Sequence, residues 1–233
     1  MRKLFATTLI LATLSPMAAL ATEDAYPPVA TYAVTRNGQT VGRHTLAFQQ
    51  QGPLRIVTID SQASVRVLGI TAYRYTHQGR EVWNGEQLQS LQATTDDNGR
   101  RSTVRAEHRG GKLAVERAVP GAVTKVSAGT QGVEQLDANR ASMPADILPT
   151  SQWKMRQVKQ SKLLNTQDGT LIQVQVTAVG RENVRTGAST VAATRFAYNG
   201  GLRMDQWFDD RGRWVKGAFT AFDGSTIEYT LQE

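Results

Sequence analysis

Cysteine is absent from the 233-residue chain. Disulfide staples, thiolate nucleophiles and thiolate metal sites are therefore excluded. Histidine is scarce: His44, His77 and His108 are the only three. No two of them share metal-ligand spacing, and neither His-Glu-x-x-His nor His-x-His occurs, so no metal centre is expected. The Gly-x-Ser-x-Gly elbow of exported hydrolases is missing. No Ser-x-x-Lys acylating motif stands out with its partners, and Gly69, Gly79 and Gly85 are too far apart for a phosphate loop. No motif calls for a cofactor, and an enzyme is the less favoured class. Aromatics reach only 7%, too few for the girdles of an outer-membrane barrel. The run Arg101, Thr103, Arg105, Glu107, Arg109 would also put charge on lipid.

Only one long apolar run is present, and it lies at the start. Arg2 and Lys3 precede a mostly apolar stretch from Leu4 to Leu20, and Ala19-Leu20-Ala21 has the small-x-small pattern of a cleavage site. Thr7, Thr8, Thr13, Ser15 and Pro16 make this run a poor spanning helix. The expectation is a signal peptide over 1–21, cleaved after Ala21, which delivers a periplasmic protein that does not span the membrane. Cleavage takes 21 of the 233 residues and leaves 212. The formal charge of +7 falls to +5 once Arg2 and Lys3 leave. That excess serves solubility, or attraction to anionic head groups, lipopolysaccharide or acidic polysaccharide. No nucleic-acid motif accompanies it.

What is present in abundance is alternation. After an extended leader over 22–28, ending in Pro27-Pro28, a single antiparallel β domain is expected over 29–233. Asn37-Gly38 sits between alternating runs, the signal of a type I′ hairpin turn, because both central residues take positive φ cheaply. Further strands read as Leu54 to Ala63, Val67 to His77, a short piece around Val82 and Trp83 bracketed by Gly79 and Gly85, Leu88 to Thr95, Arg100 to Arg109, and Lys112 to Arg117. Leu171 to Val179, Thr190 to Tyr198, Leu202 to Phe208, Trp214 to Ala221 and Thr226 to Leu231 complete them. Between them 119–150 lacks periodicity and reads as an irregular loop or lid, after which Thr150-Ser151 can cap a short helix through Val158. About a dozen strands joined by local turns predict an all-β meander. So many strands predict a sheet that curls into a half-barrel or barrel, with at most one short helix.

The carboxylates Asp96-Asp97, Asp209-Asp210 and Asp223 each lie beside a turn glycine, where Asp bonds its own backbone, so turn chemistry accounts for them. Aromatics fill β cores by default. The sharper reading is that some of them line an apolar cleft. On that reading the candidate ligand-binding residues are Tyr73, Tyr75, Trp83, Trp153, Trp207 and Trp214. Candidate general acids or bases are His44 and His77, although no catalytic residue is assigned.

Several stretches resemble an exported bacterial family known only as domain of unknown function 6134. They are Tyr32 to Gly38 with Val41-Gly42, Thr95 to Gly99, Leu202 to Trp207 followed by Asp209, and Asp223 to Tyr229. The family has no agreed activity, so the resemblance transfers no catalytic residue. The opening hairpin is also similar to lipoprotein-carrier half-barrels, which implies a curved sheet cupping acyl chains. Three readings follow. The first is a periplasmic binder or carrier of a lipid-like or amphipathic small molecule. The second is an envelope enzyme on lipid or glycan, and the third a structural or partner-binding envelope protein.

Overall fold

The computed structural model describes residues 26–120, 139–187 and 189–232. The expected signal peptide and its cleavage point, most of the leader, and 121–138 of the expected loop or lid lie outside the described residues. Eight strands come first: β1 (Val29–Arg36), β2 (Gln39–Gln51), β3 (Leu54–Val67), β4 (Ile70–Asn84), β5 (Gln87–Asp97), β6 (Arg100–Arg109), β7 (Lys112–Ala118) and β8 (Arg140–Pro144). Seven more follow: β9 (Leu148–Pro149), β10 (Lys162–Leu164), β11 (Leu171–Arg185), β12 (Thr190–Gly200), β13 (Met204–Asp209), β14 (Trp214–Thr220) and β15 (Thr226–Leu231). All fifteen form one sheet in the order β8 to β1, then β15 to β9. Each described pairing is antiparallel except that between β9 and β10. The sheet is curved and does not close.

Local turn chemistry sets most of these elements. Asn37 and Gly38 both have positive φ, 49° and 81°, as a type I′ turn requires. Among the described residues the only non-sequential joint in the sheet, β1 with β15, places Tyr32 opposite Leu231 and Val34 opposite Tyr229.

Four sequence readings are corrected. Gly79 is not a turn: β4 runs through it, and a Cβ there would stand 3.3 Å from Ile59 Cδ1, so the glycine makes room for the neighbouring strand. The β3–β4 turn falls at Leu68-Gly69, inside the run read as one strand from Val67 to His77. The stretch 119–150 is not wholly irregular, because it contains β8 and β9. The expected short helix is a 3-10 helix at Met155–Lys159, and no side chain caps it.

The curl is visible in contacts between opposite ends of the sheet. Gln167, in the β10–β11 turn, accepts a 2.5 Å hydrogen bond at its carbonyl from Ser102 Oγ on β6. Gly169 of the same turn packs so closely that a Cβ would lie 3.0 Å from Arg117 Cβ on β7. Side chains, not a backbone ladder, bring these ends together.

One half of the inward face is a solid core. The end of the sheet carrying the β2–β3, β4–β5 and β6–β7 turns is here called the lower end. There residues 148–164 supply Leu148, Trp153, Leu163 and Leu164, which are buried in one cluster with Trp83, Leu88, Leu91 and Leu113. Trp153 meets Trp83 edge to face at 5.6 Å and Phe48 at 5.6 Å. Tyr26 stacks on Phe48 at 4.6 Å, and its hydroxyl donates to the Trp153 carbonyl and accepts the Trp214 N–H, each at 2.8 Å. Truncating one such tryptophan costs about 3–5 kcal/mol. The trough expected from the sequence is thus filled in its lower half by the chain itself.

Candidate functional site

Strand register builds a row of polar side chains across the middle of the inward face. Tyr32 on β1 pairs with His44 on β2, His44 with Ser61 on β3, and Ser61 with His77 on β4. His77 in turn pairs with Thr95 on β5, and Thr95 with Ser102 on β6. All six are buried. His44 Nδ1 and Ser61 Oγ share a 2.5 Å hydrogen bond, and His77 Nδ1 and Thr95 Oγ1 share one of 2.8 Å. The Tyr32 hydroxyl donates to the Trp214 carbonyl at 2.8 Å.

Burial dominates the electrostatics of this row. It lowers the His44 pKa to about 3, with a smaller push from the neighbouring His77, and lowers His77 itself to about 4. Both imidazoles are neutral at physiological pH. Among the described residues, His44 Nε2, Trp214 Nε1, Gln206 Oε1 and the Tyr198 hydroxyl are buried and have no hydrogen-bond partner. His44 meets Trp214 and Tyr229 edge to face, each at 5.7 Å.

The next rung toward the upper end forms a mouth. Phe196, Gln206, Gly217, Tyr229, Val34, Gly42, Ala63, Tyr75 and Asp97 lie in register across nine strands. Phe196, Tyr229, Ala63 and Tyr75 are half-buried here, unlike the sealed rows beneath. Tyr73, two residues up β4, donates a 2.7 Å hydrogen bond to Asp97 Oδ1. Burial raises the phenol pKa of Tyr73 and Tyr75, with Asp97 and Tyr229 adding to the effect. Burial pushes Tyr229 up to about 12.

The six aromatic residues singled out from the sequence therefore separate. Tyr73 and Tyr75 face inward at the mouth beside Tyr229. Trp83 and Trp153 lie together in the lower core, where each indole N–H donates at 2.9 Å to Oε2 of the fully buried Glu81. Lys154 Nζ caps both rings, 4.7 Å and 5.3 Å from their centroids. Burial raises the Glu81 pKa against the opposing pull of donors from Trp153, Ser151 and Trp83 and of the Lys154 charge. Trp214 is buried beneath His44 and Tyr32. Trp207 faces away, in register with Arg195 and Lys216, whose charges sit 5.3 Å and 5.2 Å from its ring. Ser61 and Thr95 escaped the sequence reading because nothing distinguishes them within their runs. Only the ladders, which join positions 17 and 18 apart to the histidines, reveal them.

This arrangement offers hydrogen bonding beneath apolar walls. Among the described residues no group of three His, Asp or Glu side chains could hold a metal ion. No helix among them is long and apolar enough to cross a membrane.

A family model described as "Domain of unknown function (DUF6134)" matches residues 32–232. A solved structure described as a beta-barrel-like protein of domain of unknown function DUF1849 from Brucella abortus is similar in fold. It has a TM-score of 0.57 and 10% identity, over 88% of this chain and 95% of that one. No curated protein matches.

Proposed function

We propose that this chain, which belongs to the DUF6134 family, binds an apolar or amphipathic, lipid-like ligand at the mouth of its curved sheet, in the periplasm. One observation carries the reading. The inward face is sealed in its lower half, yet above the polar row its apolar side chains, Ala63, Val65, Tyr75, Phe196, Phe219 and Tyr229, remain half-buried. Clefts with apolar walls and a few convergent polar groups are the usual form of small-molecule sites. Here the polar groups are the Tyr73–Asp97 pair and the unpartnered His44 Nε2 below. The secretory pattern over 1–21 supports the compartment.

An envelope enzyme is the weaker reading. Its best support is the His44–Ser61 contact, but both side chains are buried and a histidine with a pKa of about 3 is a poor general base.

Native mass spectrometry of the purified chain and displacement of a fluorescent fatty acid test the binding reading. The expected result is uptake of the probe that falls several-fold when Ala63→Trp fills the mouth. Failure of the unaltered protein both to take up probe and to carry any co-purifying lipid would overturn it.

A further inference from the structure

Above the mouth, β3 and β4 leave the sheet. β2 pairs with β3 only as far as Ala63, and β5 with β4 only as far as Tyr75. Over 64–74 the ladder joins β3 only to β4 and forms a two-stranded ribbon. Its base is tied to the β5–β6 turn by the Asn98 N–H donating to the Arg74 carbonyl at 2.8 Å and by the Tyr73–Asp97 hydrogen bond. Four rungs at about 3.3 Å each make it roughly 13 Å tall. Such a ribbon has little core of its own, and a polar tip would suit water. Instead Val67 is 56% exposed, Leu68 98% and Ile70 73%.

The turn chemistry makes the tip more unusual. Asn37-Gly38, Leu68-Gly69 and Asn98-Gly99 are three hairpin turns with positive φ at both positions, 49° and 81°, 52° and 81°, and 52° and 89°. Two of them use Asn, which tolerates the left-handed region. The third holds a leucine there, in a backbone conformation that disfavours it and almost fully in solvent, so folding alone gives no reason for it.

Charge and placement say what the tip meets. From Ser61 to Arg80 there is no acidic residue, while Arg66 and Arg74, both exposed, flank the ribbon. β14 runs parallel in space to β3, with β15, β1 and β2 each reversing direction between them, so the β14–β15 turn lies at the same end of the sheet. That turn carries Phe222, fully exposed. The nearby carboxylates are engaged, Asp97 by Tyr73 at the base of the ribbon and Asp223 by Arg36. Apolar tips on a ribbon whose own charges are all cationic therefore suit the interface of an anionic bilayer.

We propose that the 64–74 ribbon docks this protein on anionic phospholipid, with Leu68 and Ile70 entering the acyl boundary and Arg66 and Arg74 on the phosphates. The proposal does not depend on a ligand at the mouth. Co-sedimentation of the purified protein with phosphatidylethanolamine–phosphatidylglycerol vesicles, and with phosphatidylcholine vesicles, tests it. Binding is expected on the anionic vesicles and to weaken with salt. Leu68→Asn, which suits the turn better and so keeps the fold, is expected to lower partitioning about tenfold. The double variant Arg66→Gln/Arg74→Gln is expected to remove most of the salt dependence. No sedimentation of the unaltered protein, or undiminished binding by Leu68→Asn, would overturn the proposal. So would a dimer in solution that Leu68→Asn makes monomeric, which would assign the tip to a second copy.

Discussion

His44 and Ser61 share a short hydrogen bond across the β2–β3 ladder, and neither side chain reaches solvent. His77 repeats the arrangement with Thr95 one strand further on. Two neutral, sealed histidines make the fold a sensor of acid. Each binds its proton more weakly when folded than when unfolded, at about 3 and about 4 against an ordinary 6.5. The unfolded chain therefore takes up more protons as pH falls below about 6.5, and stability declines toward the folded-state values.

The unfolding free energy from urea titration should accordingly drop between pH 7 and pH 4.5, by about 2 kcal/mol for each histidine. In His77→Gln the slope should lessen, because one of the two protons is no longer taken up. A flat profile for the unaltered protein over that range would show that the histidines are not held neutral by the fold.

Glu81 carries the opposite sign. Burial raises its pKa, so the stability tied to its protonated form is present at low pH and is lost as pH rises through the folded value. Glu81→Gln keeps an oxygen for the two indole N–H groups without a buried charge. It should raise stability at pH 8 by about 1 kcal/mol. Glu81→Leu strands both donors and should cost about 2–4 kcal/mol. Equal destabilisation by both variants would refute this account of the site.

Tyr26 ties the chain entering the sheet to the core through two backbone groups, the Trp153 carbonyl and the Trp214 N–H. Tyr26→Phe preserves the stacking on Phe48 but leaves both groups unpaired in the interior. A loss of about 2–3 kcal/mol in chemical denaturation is expected. A loss below about 0.5 kcal/mol would mean that water replaces the hydroxyl there.

Gly217 lies under the Trp214 ring, where an added Cβ would stand 2.6 Å from Cζ2. The ring is fully buried and packed against Tyr32, His44 and Tyr229, so it has little room to move. Gly217→Ala should cost about 1–3 kcal/mol and shift the tryptophan fluorescence. An unchanged spectrum and midpoint would show that the ring repacks freely.

Much of the architecture was readable where turns are local. Asn37-Gly38, Asn98-Gly99 and Gly110-Gly111 each bend the chain where their chemistry says, and the Arg100–Arg109 and Thr226–Leu231 strands run between the expected bounds. Reading failed where a residue's role depends on a neighbour remote in sequence. Gly79 continues a strand because Ile59 crowds it, and Leu68 turns the chain although no turn preference marks it.

Alternation, turn residues and the absence of cysteine determined from the sequence alone that this would be an antiparallel meander held by burial. Only the tertiary structure decided that Leu148, Trp153, Leu163 and Leu164 would fill the lower half of the curl. It also aligned His44, Ser61, His77 and Thr95 in one row and set Trp207 on the opposite face from Tyr75. The reason is physical. A residue's φ and its place in the alternation are set by its immediate neighbours. Which face is sealed, and what lies across the ladder, is set by strand register and by contacts such as Tyr26 with Trp214, 188 residues apart.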